Sequence, residues 1–264
     1  MEELYIISTP IGNMEDITLR AVRILKELKL LIVEDTRTAR KLLSLLEIPL
    51  KDKVFVSYYK GQEGYKIENL LNKIKEFGKA GIISEAGTPL ISDPGFLLIK
   101  KAKEAGVKIT AVPGPTALIA SLTIGGINTD NFLFLGFPPR AEGKFLRLMR
   151  QIIPHPWTIV FYESPNRVNK TLELLSKIIP ERRIAIVREI TKKFEETIEG
   201  KVKEVAEKIS NKKIKGEITI IIEGNREKIT NPKNKEELLK LISSITTLSD
   251  KKIEKLLSDK YGKN

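Results

Sequence analysis

Short apolar runs punctuate the first half of the chain, and amphipathic stretches with apolar positions three and four apart lie between them. "LYIIS" (4–8), "LLIVE" (30–34), "VFVS" (54–57), "GIIS" (81–84) and "VKITAV" (107–112) read as buried strands. The helical period predicts helices over 17–28, 38–46, 65–77 and 94–105, and another beginning in "PGPTALIASLTIGG". Asp16 or Thr18 is the candidate cap of the first helix. For the fourth, Asp93 is the expected cap, Pro94 its first residue and Gly106 its stop. Strands that alternate with helices in this way call for a mostly parallel sheet covered on both faces.

After the Gly/Asn/Asp-rich stretch 125–131 the pattern changes. Strands are expected at 132–137, 157–163, 183–190, 194–200 and 217–224, and helices at 144–152, 165–178 and 201–209. The strands over 183–190 and 194–200 are separated by so few residues that antiparallel pairing enters this half. The expectation is an α/β protein with an N-terminal domain over 1–125, a linker over 126–131 and a mixed-sheet domain over 132–224. A polar tail follows over 225–264, with short amphipathic segments at 234–245 and 249–258.

Composition narrows the chemistry. The chain has 264 residues, no cysteine and a single histidine, His155, between two prolines. Thiolate zinc sites, cysteine nucleophiles, histidine triads and multi-histidine metal sites are thereby disfavoured. An acidic start, no apolar run long enough to span a bilayer and the lack of cysteine lead us to expect a cytoplasmic protein. The net charge is +12 and uneven: residues 1–125 carry 18 basic against 15 acidic side chains, and the rest 28 against 19. Such an excess favours a polyanion as partner, most simply nucleic acid bound through the second half. A lysine-rich, heat-adapted surface is the alternative.

In an open α/β sheet the ligand lies where strands end. The strand-end loops here are "STPIGN" (8–13), "EDTR" (34–37), "SEAGTPLISDPG" (84–95) and "PGPTA" (113–117). They are rich in glycine and proline, with hydroxyls and few cations. Neither G-x-x-x-x-G-K-[ST] nor G-x-G-x-x-G occurs in them, which disfavours nucleoside triphosphate hydrolysis and dinucleotide binding. S-adenosylmethionine suits such loops, as do other nucleosides, and composition does not choose among them.

The motifs do choose. "TPIGN", "EDTR", "SEAGTPLISDPG", "PGPTA", "FYESPNR" (161–167), "REITK" (188–192) and "KGE" (215–217), in that order across 4–224, resemble the ribosomal small subunit methyltransferase I family. Its members are 16S rRNA (cytidine-2′-O)-methyltransferases within the tetrapyrrole methylase superfamily. The chain departs from the pattern after "FYES", where Asn166 precedes Arg167 and the family's histidine has no counterpart. The resemblance implies two α/β domains with S-adenosylmethionine in the cleft between them, a homodimer, 16S rRNA or the small ribosomal subunit as substrate, and no metal. Carried over by motif, it implies cofactor contacts at Pro10, Ala86, Gly87, Thr88, Ile91, Thr116, Ala117, Tyr162, Arg188, Glu189 and Gly216.

Attack of a ribose hydroxyl on a methyl carbon needs alignment and a proton acceptor. Candidate carboxylates are Glu34, Asp35, Glu85, Asp93, Glu163 and Glu217, and the Asp35–Arg37 loop with Glu163 is the expected catalytic set. For RNA phosphates the candidates are Arg140, Lys144, Arg147, Arg150, Arg167, Lys212, Lys213 and Lys215, the first four at helical spacing. Tyr58 and Tyr59 could stack on a base, with core or rim packing as the alternative. Two other functions share these features: a tetrapyrrole methyltransferase on the same fold, whose relatives open with a G-x-G-P-G-D-type loop rather than "TPIGN", and a non-catalytic RNA-binding assembly protein.

Overall fold

In the computed structural model residues 2–59, 63–210, 212–225, 239, 242–243 and 251–255 are described. Contacts divide the chain into two units, Met1–Ser121 with Glu189–Glu196, and Leu122–Arg188 with Thr197–Asn264.

The first unit is built on strands β1 (Glu3–Ile7), β2 (Leu30–Val33), β3 (Val54–Ser57), β4 (Lys79–Ile83) and β5 (Lys108–Val112), in the order β3-β2-β4-β1-β5. Every pairing among them is parallel. Parallel strands need long crossovers. The helices α1 (Leu19–Glu27), α2 (Thr36–Leu45), α3 (Glu63–Phe77) and α4 (Phe96–Glu104) provide them, and α5 (Ala117–Ile124) follows β5. Alternate residues of each strand serve opposite faces. Leu4, Ile6, Leu30, Ile32 and Ile82 pack on Leu70, Ile74 and Leu98 on one side. Ile7, Leu31, Val33 and Ile83 pack on Ile24, Leu25 and Leu43 on the other. Burial on both faces is why these strands read as uninterrupted apolar runs.

The second unit holds β6 (Phe132–Phe134), β7 (Thr158–Glu163), β8 (Arg183–Arg188), β9 (Glu196–Lys201) and β10 (Ile218–Ile222), ordered β6-β7-β10-β8-β9. β6 runs parallel to β7, and β10 runs antiparallel to both β7 and β8, so the sheet is mixed as expected. The helices α6 (Glu142–Ile152), α7 (Val168–Ile178) and α8 (Val202–Ile209) cover it, with Phe145, Met149, Leu172, Leu175, Val205 and Ile209 in the core.

One alternative is decided and two local readings change. Thr18, not Asp16, caps α1, accepting from the Ala21 amide at 3.1 Å. At α4 the cap is Gly95 with φ +133°, a conformation that glycine permits, and no side chain caps the helix. Asp93 is thus freed from the role its Asp-Pro-Gly context suggested. In the second unit α6 begins at Glu142, so Arg140 precedes the helix rather than sharing its face. Of the expected tail segments, residues 239, 242–243 and 251–255 are helical and the remainder lies outside the described residues. Among the described residues no helix is long and apolar enough to cross a membrane.

Candidate active site

The loops leaving β1, β4 and β5 are tied into one assembly. Thr9 and Gly87 exchange backbone hydrogen bonds, Thr9 N to Gly87 O at 2.9 Å and Gly87 N to Thr9 O at 3.1 Å. The hydroxyls of Ser8 and Thr88 meet at 2.8 Å, and Thr88 Oγ1 donates to the Pro115 carbonyl at 3.3 Å. Ser84 Oγ donates to the carbonyls of Ala86 and Gly87, both at 3.3 Å. Two glycines permit this closeness. Gly87 has φ +80°, and a Cβ on Gly114 would come within 2.9 Å of Ser8 Cβ. Ser8, Thr9 and Ser84 escaped the sequence reading, although each is a small hydroxyl residue at a strand end, the signal that would have found them.

Pro10 is buried at the start of the first loop, whereas Ala86 and Ile91 are exposed on the second. Leu90 and Ser92, neither of them glycine, hold φ of +76° and +73°, a strain that surrounding packing must enforce. Thr116 accepts from the Ala120 amide at 3.0 Å, which places Thr116 and Ala117 at the opening turn of α5, where amide groups have no helical partner. Glu189–Glu196 also belongs to this unit. Thr191 Oγ1 accepts from the Asn13 amide at 3.2 Å, the Lys192 side chain packs over Gly12, and Lys192 pairs with Glu189 at 3.0 Å.

The carboxylates sort by environment. Asp35 caps α2, accepting from the Arg37 amide at 2.6 Å, and its other oxygen meets Arg37 Nη2 at 2.7 Å. The bonds from the Arg37 guanidinium and amide hold the Asp35 carboxyl at about 2, a weak proton acceptor. Glu34 differs. Burial, then the charges of Asp93 and Glu85, push its carboxyl above the usual range. Asp93 is raised in the same way by burial and by Glu85, partly countered by a hydrogen bond from Ser84. Glu34, Ser84 and Asp93 line a small cavity at the carboxyl ends of β2 and β4, together with Tyr58 and Pro89.

In the second unit Glu163 ends β7 with its side chain fully buried. Its oxygens accept from the Ser164 amide at 2.7 Å and from Thr171 Oγ1 at 2.6 Å, and Arg167 Nε lies 3.4 Å away. Arg167 also donates to the Pro139 carbonyl at 3.2 Å, so this guanidinium, expected at a phosphate, has partners within the protein as well. Tyr162 is half-buried beside Phe134 and Phe137, with ring centroids at 5.0 and 5.5 Å. Arg188 is half-buried at the end of β8, and Gly216 lies in the turn before β10 at φ +86°. Lys144, Arg147 and Arg150 are exposed on α6, opposite the buried Phe145 and Met149. Arg140, Lys212, Lys213 and Lys215 are exposed in loops.

The fold and these strand-end loops define a class. The tetrapyrrole (corrin/porphyrin) methylase family model matches residues 3–206, and the chain is a member of that class. Solved structures agree on the fold. Native uroporphyrin-III C-methyltransferase from Thermus thermophilus superposes with a TM-score of 0.59 at 22% identity, covering 84% of this chain and 97% of that one. The same enzyme complexed with S-adenyl homocysteine gives equal values. Closer in sequence are proteins named ribosomal RNA small subunit methyltransferase I. The relative from Hydrogenobaculum sp. is 41% identical over 83% of this chain and 95% of its own length. That from Thermotoga maritima is 39% identical over 85% and 99%, and that from Rickettsia prowazekii 38% identical over 98% and 91%. The chain belongs to the ribosomal RNA small subunit methyltransferase I family.

Proposed function

We propose that this protein transfers a methyl group from S-adenosylmethionine to the 2′-hydroxyl of a cytidine in the decoding region of 16S rRNA. The observation that carries the reading is the 38–41% identity to relatives named for small-subunit rRNA methylation, spread over most of each chain. A cytoplasmic homodimer acting on the small subunit or its RNA completes it.

The residues present fit the cofactor. The knitted loops of the first unit offer backbone groups and small side chains, and the Lys192 that packs over Gly12 is paired with Glu189, which suits a ligand carrying a sulfonium and an ammonium. Pro10, Ala86, Gly87, Thr88, Ile91, Thr116, Ala117 and Glu189 would hold it, joined by Tyr162, Arg188 and Gly216. Thr88 contributes through its backbone, since its hydroxyl is committed to Ser8 and Pro115. When bound, the cofactor supplies a methyl on a sulfonium whose departure leaves a neutral thioether.

The chain's task is then to align the ribose oxygen and remove its proton as the oxygen–carbon bond forms. Glu34, held protonatable by burial and by its acidic neighbours, is the better acceptor of that proton. Asp35 instead orients Arg37, whose side chain is 89% exposed and suited to an RNA phosphate. Glu163 acts through Arg167, fixing the loops around Tyr162. Arg140, Lys144, Arg147, Arg150, Lys212, Lys213 and Lys215 supply salt-sensitive affinity for the RNA.

Labelled cofactor incubated with small ribosomal subunits, free 16S rRNA or a uroporphyrinogen tests the reading. Label in the 2′-O position of one cytidine is the expected result. Label entering only the tetrapyrrole would overturn it.

A further inference from the structure

Beyond β6 the chain keeps to the edge of β7 for two more residues. The Leu135 amide donates to the Val160 carbonyl at 2.9 Å, and the Tyr162 amide to the Gly136 carbonyl at 2.8 Å. Gly136, at φ +60°, then turns the chain outward, and Phe137 emerges with 62% of its surface exposed. Single exposed apolar side chains are ordinary on protein surfaces. This one is not ordinary in its mounting.

The loop that carries it is pinned. Pro138 and Pro139 restrict the backbone just after it. Arg167 grips the Pro139 carbonyl at 3.2 Å, and Arg167 is itself held 3.4 Å from the fully buried carboxylate of Glu163. On its inner side the Phe137 ring leans on Tyr162 at 56° between planes, and Tyr162 meets Phe134 edge-on. Three rings thus form a rigid set whose outermost member faces solvent. Arg140 follows three residues later, and the cationic face of α6 after it. Glu142, an acid beside that face, pairs with Lys170 at 3.7 Å.

We propose that Phe137, backed by Tyr162, is a stacking platform for an unpaired base of the RNA substrate, with Arg140 and Lys144 taking the flanking phosphates. The proposal rests on the rRNA reading above. An aromatic face beside cations is the chemistry that holds single-stranded RNA, whose splayed bases each offer a π-face. The flanking charge favours a polynucleotide over the adenine of the cofactor, which carries no phosphate.

The test uses the full chain with Phe137→Trp, Phe137→Leu and Phe137→Ala. Binding to a 16S rRNA transcript and KM for small subunits are measured, with cofactor affinity, sedimentation and thermal unfolding alongside. Stacking predicts that Trp retains binding, whereas Leu and Ala each weaken it on the order of tenfold or more. The salt dependence of binding should keep its slope in all three, while Lys144→Ala lowers that slope by about one. Leu binding as well as Phe would overturn the platform, because apolar packing alone would then suffice. So would a parallel fall in cofactor affinity, which would assign the ring to adenine, or a shift to monomer, which would assign it to a subunit contact. Wild-type protein that methylates no rRNA would overturn the substrate reading and the platform with it; active wild type with an unaffected Leu variant overturns the platform alone.

Discussion

Ser8 and Thr88 stand 80 positions apart in the chain with their hydroxyl oxygens 2.8 Å apart. Through that contact the loop after β1 and the loop after β4 behave as one piece, and Thr88 extends the link to Pro115 after β5. Preorganisation of this kind lowers the ordering cost of binding. Thr88→Val keeps the shape and deletes both hydrogen bonds, each worth about 1 kcal/mol. Calorimetric titration with S-adenosylhomocysteine should show affinity weakened roughly tenfold, with the thermal midpoint lowered by only a few degrees.

Two glycine substitutions should move stability in opposite directions. Gly87→Ala forces a side chain into φ +80° and sets its Cβ 3.3 Å from Ile11, so a loss of about 1–2 kcal/mol is expected. Gly143 lies within α6, its φ is not positive, and a Cβ there meets nothing within 4 Å. Gly143→Ala should therefore gain about 0.5–1 kcal/mol from helix propensity. Urea unfolding of both variants checks the pair.

Glu3 makes the first unit sensitive to acid. Hydrogen bonds from Thr110, Tyr5 and Lys108 hold its carboxyl at about 2, against 4.5 when unperturbed. A depressed carboxylate stabilises fully above its unfolded value and loses that contribution as pH falls toward its folded one. Stability should therefore decline between pH 4.5 and 2 in the wild type. In Glu3→Gln that decline should be shallower. The same bond pushes the Tyr5 phenol up to about 12, and the ultraviolet titration of that tyrosine should fall toward 10 in the variant.

For the proton acceptor, pH profiles decide. If Glu34 accepts the ribose proton, kcat rises with pH through its raised value, and Glu34→Gln removes that limb with a loss of about 10²–10⁴-fold. Asp93→Asn removes a neighbouring negative charge and should shift the limb to lower pH. Asp35→Asn should leave the limb in place and raise KM for RNA by loosening Arg37. A limb unchanged in Glu34→Gln would refute the assignment.

Glu163 is a support, and its loss should look like one. Glu163→Gln leaves Arg167 partly unpaired and weakens the bond to Thr171, costing about 2–3 kcal/mol in unfolding experiments. The activity limb assigned to Glu34 should stay in place in the folded enzyme, while KM for RNA rises.

Much of this architecture was legible in the chain because parallel strands buried on both faces write themselves as apolar runs. "VFVS" became β3 without adjustment. The edges were less legible. β4 starts at the exposed Lys79 because Glu3 pairs with it, and β6 stops at Phe134, two residues short of the Gly136 turn. Asp93 carried every local mark of a helix cap, yet tertiary packing turned it toward Ser84 and gave the cap to Gly95. Arg167 read as a phosphate ligand from its charge, whereas the buried acid 3.4 Å from it could not be seen in the sequence. The loops were recognisable by motif, whereas the hydroxyl bonds that fasten them join residues some 80 positions apart, which no local pattern encodes.

The bond from the Asn13 amide to Thr191 joins positions 178 apart and brings Glu189–Glu196 back to the first unit. On the ribosome, then, the "TPIGN" loop waits for a further 178 residues to be synthesised before this partner arrives. A fragment over residues 1–125 lacks this strap, while one reaching residue 196 includes it. The order of translation thus makes the "TPIGN" loop long made before it is completed.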